Sequence, residues 1–128
     1  MNKKAVNDQL EIAYQAVIKS GIARKADSGD YLVNKAFRGQ ISTFGAAITT
    51  GSLKSAIAFF SDDGNASVKR SLLVKAIEII LVRRGEIQSG QSLFSYAKNE
   101  NPEAKENIIN AAIAIKLALN LFILVDKE

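Results

Sequence analysis

The 128-residue chain has no cysteine and no histidine, which excludes disulfides, thiolate nucleophiles, Cys- or His-ligated metals and imidazole bases; any chemistry must run on carboxylates, lysine, serine or tyrosine. Lys and Arg number 17 against 13 Asp and Glu, a net charge of +4 that suits contact with an anion such as nucleic acid without requiring one. The length accommodates one domain with a real core, read here as a single helical domain over residues 1–128, and the 48% hydrophobic content with a single proline points to packed helices.

Residues 1–4 lead into an amphipathic pattern and not into the apolar core of a signal peptide. With the missing cysteines, this fits a cytoplasmic location. Val6, Leu10, Ala13 and Val17 are spaced four, three and four apart, which predicts a first helix over residues 3–24. Arg24 and Lys25 then suit the negative end of its dipole. Asp27-Ser28-Gly29-Asp30 is turn chemistry with several possible N-caps. A second helix is expected to follow it to about residue 50, its stripe formed by Val33, Phe37, Ile41, Phe44 and Ile48. Lys35 and Arg38 are three apart and project near each other. Gly39 and Gly45 inside this helix suggest a bend or a close backbone approach.

Gly51 supplies a stop and Ser52 a cap for a short helix over 53–61, with Leu53, Ile57 and Phe60 on one face. Asp62-Asp63-Gly64-Asn65 is a turn. A fourth helix is expected over 67–84, bracketed by the basic pairs Lys69-Arg70 and Arg83-Arg84. A loop over 85–92 precedes a short helix over 93–97. Asn101-Pro102-Glu103 is the clearest helix start in the chain. The last helix is expected to run to about Val125. Its long apolar run raises a membrane alternative, since a spanning helix needs about 20 apolar residues. Lys116 at its centre opposes that. Lys105, Glu106, Asn110, Lys116, Asn120 and Lys127 gather instead into one polar sector, the solvent stripe of a core helix. The sum is an all-α, single compact bundle of five or six helices.

Few residues suggest catalysis. Asp62-Asp63 lacks the regular oxygen spacing of a calcium loop and reads as a turn. Ser95 and Lys98 share the Ser-x-x-Lys spacing of certain acyl-transfer enzymes, without their companion motifs. No metal site and no cofactor is expected. The basic residues are the better candidates: Arg24, Lys25, Lys35, Arg38, Lys54, Lys69 and Arg70 all fall near ends or exposed faces of the first four predicted helices. Converging, they would neutralise several phosphates. No base-reading motif accompanies them, so contact would be with the backbone of a nucleic acid.

Residues 37–60 carry a family resemblance. Phe37-Arg38-Gly39 opens a helix, Ala47-Ile48 is an apolar pair, and Leu53 with Ala56-Ile57-Ala58-Phe59 follows a glycine break. This resembles the small helical subunit of the type III-B (Cmr) CRISPR effector complex. The chain departs from that pattern at Phe37, where the family often has tyrosine, and at Phe44-Gly45, where it has a leucine-proline pair. The resemblance implies an all-α, non-catalytic, RNA-binding scaffold subunit in antiviral defence. Its partners would be the other subunits, guide RNA and target RNA, with weak self-association and no membrane. The alternative from the residues themselves is a helical protein–protein interaction module with no nucleic-acid role.

Overall fold

The structure, a computed structural model, describes residues 2–126. Six helices form its body: α1 (Lys3–Lys19), α2 (Ala36–Thr50), α3 (Leu53–Ser61), α4 (Ser71–Arg83), α5 (Leu93–Ala97) and α6 (Pro102–Leu119). Three short strands, β1 (Ala23–Lys25), β2 (Tyr31–Asn34) and β3 (Ile123–Val125), make a sheet in the order β1-β2-β3. The fold is therefore mostly helical, as predicted, with a minor sheet that an all-α reading lacks.

Local sequence explains four of the helix starts. The side chains of Asn2, Ser52, Ser92 and Asn101 accept the backbone N–H of Ala5, Ser55, Ser95 and Glu103 respectively, each in the first turn of the helix it caps. Pro102 occupies the first position of α6, where its missing N–H costs nothing. The stripe Phe37, Ile41, Phe44 and Ile48 is buried along α2 as its spacing requires. The Phe44 ring meets the edge of Phe60 at 5.2 Å and ties α2 to α3.

α1 and α6 form the most extensive helix pair. Ala13 and Ala16 on one, with Ala111, Ala114 and Ala118 on the other, are fully buried. Their small side chains let the two backbones approach closely. Tyr14 stacks on Phe122 at 4.6 Å, which fixes the chain just past α6 against α1. Asn110, placed by the helical wheel in the solvent stripe, is instead 4% exposed. Its Oδ1 accepts the N–H of Asn2, so the buried amide closes the start of α1. Glu106, Lys116 and Asn120 do face solvent and Lys105 is half-buried, while Lys127 lies outside the described residues. No described helix is long and apolar enough to cross a membrane.

The sheet corrects three predicted helix boundaries. α1 stops at Lys19 because Gly21 turns the backbone to φ +93°, a left-handed conformation that ends a helix without a Cβ penalty. Ile22 continues the apolar spacing, so the helical period persists in the sequence after the helix has ended. The turn expected to cap the second helix instead closes a hairpin, where Ala26 N–H donates to Asp30 O at 2.7 Å. β1 pairs antiparallel with β2, Ala23 opposite Val33. α2 starts only after Asn34, whose Oδ1 accepts the N–H of Ala36. α6 ends at Leu119, and Ile123-Leu124-Val125 pairs parallel with Leu32-Val33-Asn34. Two β-branched residues, Ile123 and Val125, beside a ready strand outweigh the helical continuation of the apolar run.

Gly39 and Gly45 have nothing within 4 Å of where a Cβ would stand, so no backbone approach explains them. Gly39→Ala is expected to stabilise the protein by about 0.5–1 kcal/mol by reducing the flexibility of the unfolded chain, read by urea denaturation. One buried polar atom lacks a partner among the described residues: the Oε1 of Gln9, on a residue 2% exposed. Gln9→Met keeps the volume and removes the orphan. It should stabilise by about 1 kcal/mol and raise Tm by about 4 °C in a thermal melt.

Candidate nucleic-acid interface

The irregular segment over residues 62–70, between α3 and α4, builds one wall of the candidate site. Sequence periodicity places Lys69 and Arg70 inside the fourth helix, but α4 begins at Ser71. The cause is Asp63, whose Oδ1 accepts the Ser71 N–H at 2.9 Å and closes the helix there. Asp62 uses its own carboxylate to accept the Gly64 N–H, a short turn of the kind the sequence announces. The other wall is the end of α1 with β1. Arg24 and Lys25, expected on a helix end, lie on this strand because Gly21 has already broken the helix.

Between these walls lies a groove of about 480 Å³. Arg24 enters it from β1 and Lys69 from the 62–70 segment. Phe37 and Leu72 contribute apolar floor, and Asn34 and Asp63 contribute polar atoms. The Asn34 Oδ1 is held by Ala36 N–H, which orients the amide. The arrangement places two cationic side chains from distant parts of the chain in the lining of one groove, each able to neutralise a phosphate of a bound strand.

The remaining predicted residues divide. Arg70 serves the structure. Its Nε donates to Asp62 O at 2.7 Å, and its guanidinium lies 4.0 Å over the Phe59 ring and 5.5 Å from that of Phe60. It pins the 62–70 segment to α3 and lends its charge to the groove's rim. Lys25 leans over the Tyr31 ring at 5.9 Å. Lys35, in the residue before α2, pairs with Asp126. Arg38 and Lys54 are exposed, in the first turns of α2 and α3. None of Lys25, Lys35, Arg38 and Lys54 lines the groove. The structure therefore unites Arg24 and Lys69 and disperses the others. The Ser95 hydroxyl and the Lys98 amine, both exposed, make no hydrogen bond to each other.

Asp63 and Asn34 are the site residues that sequence reasoning passed over. Asp63 reads as a turn residue because its partner lies eight positions on. Its carboxyl is held below the usual aspartate range, first by hydrogen bonds from the Ser71 N–H and hydroxyl, then by the charges of Lys69 and Arg70. A depressed folded-state value stabilises the protein above the ordinary aspartate range, and the contribution is lost as pH falls through the lower folded value. Asp63→Ala is thus expected to cost about 1 kcal/mol at neutral pH, the size of a missing helix cap. The gap from the unsubstituted protein should begin to narrow as pH falls through the ordinary aspartate value, about 3.9, and close only below the lower folded value, where the Asp63 carboxyl is protonated in the folded protein too. Urea melts at several pH values measure this.

No family model, no curated protein and no solved structure matches the chain.

Proposed function

We propose that the chain is a non-catalytic, RNA-binding scaffold subunit of a type III CRISPR RNA-guided effector, gripping the RNA backbone in the groove between Arg24 and Lys69. The observation that carries the RNA contact is the convergence of those two cations, 45 positions apart in sequence, on one concave surface. The likeness of residues 37–60 to the small subunit of the type III-B complex supports the assembly. Phosphate oxygens would sit between the guanidinium and the ammonium, with the Asn34 amide as a further donor. Asp63 is turned toward Ser71, with the charges of Lys69 and Arg70 close to it. With no aromatic platform in the groove beyond the buried Phe37, binding would ignore base identity.

A second reading, an interaction module without a nucleic-acid role, is favoured by exposed apolar side chains. Leu121, just before β3, and Ile123, its first residue, are 61% and 49% exposed.

Fluorescence anisotropy with a labelled single-stranded RNA separates the two. Affinity should fall with salt, and the logarithmic slope should flatten by about 1.4 in the Arg24→Glu/Lys69→Glu variant, about 0.7 for each phosphate that the variant no longer neutralises. Circular dichroism confirms that the variant is folded. Binding that is insensitive to salt, or an unchanged slope in a folded variant, would refute the RNA reading. Copurification of the chain with guide RNA and other effector subunits tests the assembly separately.

A further inference from the structure

A second groove, of about 430 Å³, runs between α4 and the 85–92 loop, away from the groove of Arg24 and Lys69. Its α4 wall includes Lys75, Ile79 and Arg83, which are spaced four and four along the helix and so form one ridge. Lys75 and Arg83 are exposed and have no ion-pair partner among the described residues. They stand eight residues apart, about 12 Å along the helix axis. Between them the half-buried Ile79 and Val82 form an apolar floor. The one carboxylate there, Glu78, is engaged: it accepts the Leu93 N–H at 2.7 Å, at the start of α5.

We infer that this groove docks an extended acidic peptide segment of a protein partner, in which two carboxylates flank an apolar side chain. Extended chain advances about 3.3 Å per residue, so side chains four residues apart span about 13 Å and lie on one face. A pattern of acid, spacer, apolar residue, spacer, acid therefore sets its carboxylates on Lys75 and Arg83 and its apolar side chain on Ile79 and Val82. The Glu78 carboxylate, already held at mid-groove, selects an uncharged centre. The apolar floor and this central acid both disfavour an RNA strand, whose charge is continuous. The inference does not depend on the RNA reading of the first groove.

The test uses a fluorescent peptide containing Glu-Ser-Leu-Ser-Glu, with Gln-Ser-Leu-Ser-Gln, Glu-Ser-Ser-Ser-Glu and Lys-Ser-Leu-Ser-Lys versions as controls. The full chain should bind the first about tenfold more tightly than the glutamine version, the order expected of two solvent-exposed ion pairs. It should also prefer it over the version without leucine. The Lys75→Glu/Arg83→Glu variant should lose that preference and bind the lysine version instead. Because both side chains are exposed, the variant should stay folded with a single cooperative melting transition, lowered only by the loss of Arg83's favourable charge at the end of α4. Equal binding of the glutamine peptide, no gain from leucine, or no measurable binding of the first peptide would overturn the proposal. So would a variant whose only change is weakened RNA binding.

Discussion

Three helices in this protein are closed at their N-termini by carboxylates that come from elsewhere in the chain. Glu100 accepts the Leu53 N–H of α3, Asp63 the Ser71 N–H of α4, and Glu78 the Leu93 N–H of α5. Each bond joins a negative group to the positive end of a helix dipole and satisfies an orphan donor. Each also fixes where one element sits against another. Glu100 is held at φ +49°, uncommon for a residue with a Cβ, while its carboxylate takes both the Leu53 N–H and the Ser52 hydroxyl. The tertiary arrangement of α3, α4 and α5 rests on these acids as much as on apolar packing.

The same bonds shape the charge of the surface. Acids committed to helix ends have their field partly cancelled by backbone N–H groups, whereas most of the cations project into solvent. Of these three acids only Asp63 lines the groove of Arg24 and Lys69, and its carboxylate is taken up by the Ser71 N–H.

Most of the helical body was legible in the sequence, because its signals are local. Phe37, Ile41, Phe44 and Ile48 announce a buried face by spacing alone. Ser52, Asn101 and Pro102 announce helix starts within one turn. What escaped depends on partners far along the chain. Strands of three or four residues carry too little pattern to compete with a helical period, and one pairing joins residues 32–34 to 123–125. Asn110 looked like a surface residue until Asn2, 108 positions away, supplied its bond. The same gap decided the site. Without β1, Arg24 could not be placed opposite Lys69, and without Asp63, Lys69 belonged to a helix.

The parallel pairing of β2 with β3 has a consequence in time. Parallel neighbours need a crossover, and here the crossover contains every helix except α1. As the chain grows, β2 leaves the ribosome before α6 and β3 and waits with one edge open until β3 appears. α1 waits likewise for α6, its principal packing partner. Closing so large a loop is entropically slow, so the nascent chain keeps an unpaired strand edge and an uncovered apolar helix face until residues 102–125 have been made. Gly21 and the turn over residues 27–30, which form the hairpin locally, give that waiting edge a fixed shape before its partner arrives.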